Sequence, residues 1–138
     1  MEEGRIVKRA LLALIMVALP GAAVAHHSVS MFDRDKVVTL AGTVQVFEWT
    51  NPHVWIEIVM EDGDMMVIWD IQGSSPRVLA REGWRPSLIK PGDRISITIY
   101  PRKDGETGGY YADIGPLYVN GELRIMGLEG VFSSYSSD

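Results

Sequence analysis

The sequence predicts an all-β domain, a small OB-like barrel of five to six strands with one short helix. Three observations predict it. Apolar and polar residues alternate in segments of strand length, turn-forming residues separate those segments, and one short helical stretch follows the third segment. A small sheet with one apolar face must close or be covered, and OB-like barrels commonly carry a helix between strands three and four. A β-sandwich is the alternative architecture.

The first 25 residues have the composition of a secretory signal peptide, which we expect to be helical. Basic residues precede an uncharged apolar run over residues 10–19, and an Ala-x-Ala cleavage sequence ends at Ala25. A bilayer-spanning helix needs about 20 apolar residues, so this run is too short for one. We therefore expect cleavage between Ala25 and His26, a periplasmic or secreted location, and no membrane span after cleavage.

The rest of the chain divides into three parts. We expect a polar N-terminal arm over residues 26–36, the barrel over residues 37–130 and a flexible Ser-rich tail over residues 131–138. Residues 26–138 carry 10 Lys and Arg against 16 Asp and Glu, a net charge of -6. This acidic balance argues against nucleic acid as a partner, and the absence of Cys excludes a disulfide scaffold.

The first predicted strand begins at Val37 and changes the parity of its apolar residues partway. They occupy even positions up to Val46, and then Phe47 and Trp49 take odd positions. Gly42 lies inside the strand, which indicates a bulge or a tight bend. The change of parity at Phe47 and Trp49 is what a bulge would produce, because a bulge switches the face that later residues occupy.

The later elements follow from their turn and cap residues. Two strands flank the Asp62-Gly63 turn. A short helix is expected with Ser75 as N-cap, Pro76 as first helical residue and Gly83 as its end. Late strands are expected over residues 110–119 and 122–126. The predicted barrel interior comprises Val38, Leu40, Val44, Val46, Val54, Ile56, Ile58, Val67, Ile95, Ile97 and Ile99.

The histidines are candidates for a metal site because they fall in only two places. His26 and His27 lie at the expected new N-terminus, and His53 follows a turn. The α-amine and imidazole of His26 form a chelate after cleavage, and a second imidazole completes three nitrogen ligands. Cu(II) prefers such nitrogen-rich sites, so copper is the candidate metal. The alternative is polar histidines that bind no metal.

The aromatic residues around the Asn-Pro-His turn are candidates for a ligand site. Trp49 and Trp55 flank this turn, and together with Asn51 they could line a groove on the barrel. The alternative is that the tryptophans form a second small core, since Trp is buried on average.

The motifs of common enzyme classes are missing from the sequence. It contains no Cys nucleophile, no GxSxG and no Gly-rich phosphate loop. Glu57 and Asp70 fall on different predicted strands, and the sequence does not indicate that they meet as an acid–base pair. We therefore do not expect an enzyme.

Several segments resemble an uncharacterised family of small exported bacterial proteins. The most specific are the His-His-Ser start at residues 26–28 and the Trp-x-Asn-Pro-His segment at residues 49–53. The others are Met31-Phe32-Asp33, Leu40-Ala41-Gly42-Thr43-Val44, Gly83-Trp84 and Lys90-Pro91-Gly92-Asp93. Val29 departs from the Phe expected within the arm. The resemblance implies export and a β-rich fold, and it supplies no established activity.

Two functions from different classes follow from these observations. The first is an exported β-barrel binding module whose partner is an envelope protein or a small ligand. The second is a periplasmic copper-binding protein that uses His26.

Overall fold

Five strands close into a barrel in the computed structural model, which describes residues 29–127. The elements are β1 (Val38–Glu48), β2 (Trp55–Asp62), β3 (Met65–Gln72), α1 (Pro76–Arg81), β4 (Arg94–Pro101), β5 (Gly108–Tyr110), β6 (Leu117–Val119) and β7 (Glu122–Ile125). The barrel order is β1-β2-β3-β5-β4, closed by β1–β4 pairing, and β6 and β7 extend the sheet from β4. Only β3 and β5 pair in parallel among the strands described. The predicted OB-like barrel, with its helix between strands three and four, is confirmed.

Strand β1 pairs with two different strands. Its first half pairs with β4 and its second half with β2. A Cβ on Gly42 would lie 2.6 Å from the carbonyl oxygen of Val59, so this close approach requires glycine. The bulge itself lies between Val44 and Val46, where the register with β2 shifts. The placement of Val46 in the barrel interior was therefore wrong: it faces outward, and Phe47 packs against the core instead.

The barrel interior is filled by branched aliphatic side chains, with two large aromatic rings at one end. The buried cluster comprises Leu40, Val44, Val54, Ile56, Ile58, Ile71, Leu79, Trp84, Ile89, Ile95, Ile97, Ile99, Tyr111, Leu117, Val119 and Ile125. Most of the predicted interior is thereby confirmed. Val38 and Val67 are only half-buried, since Val38 is the first residue of β1 and Val67 lies near the start of β3.

Helix α1 begins and ends where its cap residues predict, but its N-cap side chain does not cap it. Ser75 occupies the N-cap position and makes no side-chain capping hydrogen bond. Its backbone carbonyl accepts a hydrogen bond from the amide of Leu79 at 3.0 Å. Gly83, with φ of +95°, follows the helix as expected. The expected capping contribution of the Ser75 hydroxyl is therefore wrong.

The single strand expected over residues 110–119 is interrupted. Asp113 has a φ of 54°, a left-handed conformation that cannot continue a strand. Gly115 passes so close to β4 that a Cβ would lie 2.9 Å from the side chain of Thr98. The following turn at Asn120-Gly121 has positive φ at both residues, as a two-residue hairpin loop requires.

Part of the predicted N-terminal arm is held against the barrel. Phe32 forms a β-bridge with Arg102, and its ring stacks on Tyr110 with centroids 5.5 Å apart. The amide of Lys103 donates to the carbonyl of Met31 at 2.9 Å. Residues 31–32 therefore form one wall beside β5. The signal-peptide region, His26, His27 and the tail over residues 131–138 lie outside the described residues.

Candidate functional site

An open groove of about 630 Å³ crosses the outer face of β1, β2, β3 and β5. Its size falls within the range of small-molecule sites. Six side chains form its floor, and we call this surface the outer groove: Val46, Glu48, Trp55, Glu57, Asp70 and Gln72.

The floor consists of two neighbouring rows of residues, fixed by strand register. In the first row, Glu57 of β2 lies opposite both Val46 of β1 and Asp70 of β3. In the second row, Trp55 lies opposite both Glu48 and Gln72. Residues two apart on a strand share a face, so the two rows are adjacent. The register therefore places an indole, an amide and three carboxylates on one surface.

Because Gly108 of β5 has no side chain, the side chain of Arg102 can pack against it and form the far wall of the groove. Gly108 lies beside Asp70, and a Cβ on it would lie 2.7 Å from Cδ of Arg102. The Arg102 guanidinium pairs with Asp104: Nε donates to Oδ1 at 2.9 Å, and the terminal amino group donates to Oδ2. These hydrogen bonds lower the pKa of Asp104 to about 2. Arg102 is thus held by its own carboxylate partner at the rim.

The groove carries an excess of negative charge. Glu106 joins the floor carboxylates at the rim, whereas the positive charge of Arg102 is already paired. Within residues 29–127, neither Glu57 nor Asp70 forms an ion pair. Like charges directly opposite each other in an antiparallel pair are destabilising. The fold therefore places two acidic groups face to face, and the positive charge that acts on Asp70 is that of Arg102, which is paired with Asp104.

Gln72 leaves a buried hydrogen-bonding group unsatisfied on the groove floor. Its side chain is 4% exposed, and Nε2 has no hydrogen-bond partner. Leaving such a group unpaired costs about 1–3 kcal/mol, and buried polar groups in native proteins nearly always have partners. An acceptor supplied from outside the chain would remove this cost.

The structure separates the residues that we predicted as a ligand site. Trp55 lies in the outer groove and is 38% exposed. Trp49 packs instead against the core and against Phe47, with ring centroids 6.1 Å apart, and Asn51 is exposed in the turn. Sequence reasoning missed Gln72 and the meeting of Glu57 with Asp70. The available signal was that Trp55 and Glu57 share one face of β2 and that Asp70 and Gln72 share one face of β3, but only the register of β2 and β3 joins the two pairs.

Of the predicted metal ligands, the described residues include only His53. It is half-buried, its Nδ1 is buried without a hydrogen-bond partner, and it does not line the outer groove. Across residues 29–127, no group of three or more His, Asp or Glu side chains is placed to hold a metal ion. A three-nitrogen copper site would therefore need His26, with His27 or His53 as the source of the third nitrogen.

A second polar cluster lies beside the large aromatic rings. Nε1 of Trp84 donates to the Tyr111 hydroxyl at 3.4 Å, and that hydroxyl donates to Oδ1 of Asp113 at 3.1 Å. Burial raises the pKa of Asp113. Burial, followed by the charge of Asp113, raises the pKa of Glu82, whose Oε2 has no partner. Both carboxyls border a smaller cavity of about 300 Å³, away from the outer groove.

The fold and the groove together define a small closed β-barrel with a ligand-sized groove on its outer face. The chain belongs to a family of unknown function (DUF6152), whose model matches residues 13–111. The predicted membership of an uncharacterised family is thereby confirmed. In the described part of the chain, no helix is long and apolar enough to cross a membrane.

Comparisons with other known proteins add little. A search of the curated proteins found no match. Among solved structures, the chain is similar to the mitochondrial single-stranded DNA-binding protein Rim1 of S. cerevisiae, with 9% identity and a TM-score of 0.41. This match covers 61% of the present chain and 93% of the other. A likeness at this level says nothing about what the present chain binds.

Proposed function

We propose that this protein is an exported binding module that holds a small ligand, or a side chain of an envelope partner, in the outer groove. One observation carries the proposal: the unpartnered amide of Gln72 lies buried on the groove floor, opposite the exposed indole of Trp55. Aromatic area with a few convergent polar groups is the usual composition of a small-molecule site.

We favour binding over catalysis because the described carboxyl groups with raised pKa values lie outside the outer groove. Catalytic acids and bases usually have pKa values shifted by burial or by neighbouring charges. The described carboxyls with raised pKa values, Glu82 and Asp113, border the smaller cavity and not the outer groove. Nucleic acid is an unsuitable ligand, since its phosphates would meet the carboxylates of Glu57 and Asp70.

The binding proposal can be tested by nuclear magnetic resonance. Small molecules of cationic, neutral and anionic classes are added one at a time to the ¹⁵N-labelled protein. We expect shifts to cluster at the indole N–H of Trp55, the amide group of Gln72 and the backbone of Gly108. Trp55→Ala should abolish the shifts at Gln72 and Gly108, whereas Tyr118→Ala should not, because Tyr118 is similarly exposed, at 39%, but lies outside the groove. Shifts confined to other surfaces would contradict the proposal.

Export is the second part of the proposal and rests on the signal-peptide pattern of residues 1–25. Protein recovered from the cell envelope after expression of residues 1–138 should begin at His26. Its intact mass measures this directly. A retained N-terminal segment or a cytoplasmic location would contradict it.

Copper binding is the second candidate function, and the free Nδ1 of His53 favours it. In this proposal the amine and imidazole of His26 bind Cu(II), and His27 or His53 supplies a further nitrogen. Native and denaturing mass spectra of the processed protein should then differ by one copper ion. Calorimetry should show weaker binding after His53→Ala and as pH falls through about 6.5, since protonated imidazole cannot bind a metal. Affinity equal to that of a free His-His-Ser peptide would overturn it.

A further inference from the structure

We propose that the ligand of the outer groove is an organic cation, an alkylammonium group that contacts the indole of Trp55 and the carboxylates of Glu57 and Asp70. This inference rests on the proposed function and specifies the chemistry of that same site. It concerns the charge of the ligand, which the binding proposal alone leaves open.

The first support is the unbalanced charge of the groove floor. Glu57 and Asp70 face each other across the β2–β3 pair, and neither forms an ion pair among residues 29–127. Glu48 adds a third carboxylate in the neighbouring row. A cation bound between the opposed carboxylates would be attracted to both of them and would offset their mutual repulsion. An anionic ligand would add to the repulsion.

The second support is the aromatic surface beside those carboxylates. Trp55 is 38% exposed and lies in the row next to Glu57, two residues away on the same strand. Indole is the side chain that attracts cations most strongly through its π electrons. Cation recognition by an aromatic ring with flanking carboxylates needs both features on one face, and the register provides them.

The third support is the mixture of apolar and hydrogen-bonding groups on the remaining floor and wall. Val46, Met31 and Phe32 offer apolar contacts for the carbon atoms of an alkylammonium ligand. The buried Gln72 amide, whose Nε2 has no partner, offers a hydrogen bond to a hydroxyl or carbonyl group on the same ligand. An organic cation with a polar end fits all of these groups.

A bare metal ion fits the groove less well. A divalent cation such as Ca²⁺ takes six or more oxygen ligands. No cluster of three or more candidate metal ligands exists in the part of the chain that the structure describes. The indole of Trp55 would also have no role in binding such an ion. The observations therefore favour an organic cation over an inorganic one.

The test compares choline with its uncharged isostere, 3,3-dimethylbutan-1-ol, by titration of the ¹⁵N-labelled protein. Cadaverine serves as a second cationic probe with primary ammonium groups. We expect choline or cadaverine to shift the Trp55 indole N–H signal, with the uncharged isostere binding about tenfold more weakly or worse. Raising the salt concentration should weaken binding of the cations and leave the isostere unchanged.

Variants that each remove one carboxylate distinguish the effect of a charge inside the groove from the effect of a change in net charge. Glu57→Gln and Asp70→Asn should each weaken cation binding by about threefold to tenfold. Glu61→Gln should not, because Glu61 lies on the same strand outside the groove. Equal effects of Glu61→Gln and Glu57→Gln would indicate only a change in net charge and would overturn the inference.

The outcomes distinguish this inference from the proposed function. If the uncharged isostere binds in the groove as tightly as choline, the cation preference is wrong and the binding module stands. If cationic, neutral and anionic probes all fail to shift groove signals, both fail. Cation binding that maps to the rim carboxylates without Trp55 would overturn the inference as well.

Discussion

Two tryptophans show how differently this barrel uses its aromatic residues. Trp84 is fully buried; its ring lies 5.0 Å from that of Tyr111, and its indole N–H donates to the Tyr111 hydroxyl. Trp55 is partly exposed and lies beside the carboxylate of Glu57 and the unpartnered amide of Gln72. The indole N–H of Trp84 and the hydroxyl of Tyr111 both have partners within the chain, so these rings serve stability. At Trp55, where a partly exposed indole lies beside an unsatisfied amide nitrogen, we infer a ligand.

The largest effect should separate these two tryptophans. Trp84→Ala should lower the free energy of unfolding by about 3–5 kcal/mol, because it leaves a large cavity beneath Tyr111. Trp55→Ala should cost about 0.5 kcal/mol or less, since the side chain is partly exposed on the barrel surface. Urea denaturation of both variants measures the difference. Equal losses would mean that Trp55 is a structural residue and would break the comparison.

The sequence predicted the barrel well because its main signals are local. The alternation at Ile95, Ile97 and Ile99, and the Asn120-Gly121 turn, each depend only on neighbouring residues. Those features carry enough information to place the strands and their buried faces. The fold class followed from their order along the chain.

The candidate site could be predicted only in part, because it depends on pairing between strands. Trp55 was identified from its place after a turn, but its separation from Trp49 depends on how β1 pairs with β2 around the bulge between Val44 and Val46. The meeting of Glu57 with Asp70 requires the β2–β3 register. Long-range register of this kind leaves little trace in a single sequence.

A second comparison sets a hydrogen-bonded carboxylate, Asp93, against an exposed one, Asp70. Asp93 accepts a hydrogen bond from Asn120 Nδ2 at 2.9 Å and another from the amide of Lys90 at 3.0 Å. Asp93→Ala should therefore cost about 1–3 kcal/mol, because it leaves these donors without their acceptor. Asp70→Ala should cost less than about 0.5 kcal/mol or stabilise the protein slightly, because it also removes the repulsion from Glu57. Chemical denaturation decides, and a larger loss at Asp70 would show that the groove carboxylate supports the fold.

The pH dependence of stability should reflect the acids near the aromatic cluster. Burial raises the pKa values of Asp113 and Glu82 above their unfolded values, so the folded state takes up protons first as pH falls. Their contribution should therefore make the free energy of unfolding rise as pH falls from neutral through the raised values, and level off below the ordinary carboxyl range.

Asp113→Asn tests this sign. Asn keeps an acceptor for the Tyr111 hydroxyl and tolerates the left-handed backbone conformation at this position. The variant should be more stable than the wild type at neutral pH, and its stability should depend less on pH between the ordinary carboxyl range and neutral pH. Urea unfolding at several pH values measures both. A variant that loses stability at neutral pH, with unchanged pH dependence, would contradict the assignment.

The most direct test of the central claim is the free energy of unfolding of Glu57→Gln at low ionic strength. If the groove carboxylates face each other to hold a ligand, removing one charge should stabilise the free protein by about 0.2–1 kcal/mol, because the repulsion from Asp70 is lost. The matched Glu61→Gln change should have a smaller effect. A Glu57→Gln variant that is less stable than the wild type would contradict the account, since the carboxylate would then be a structural group.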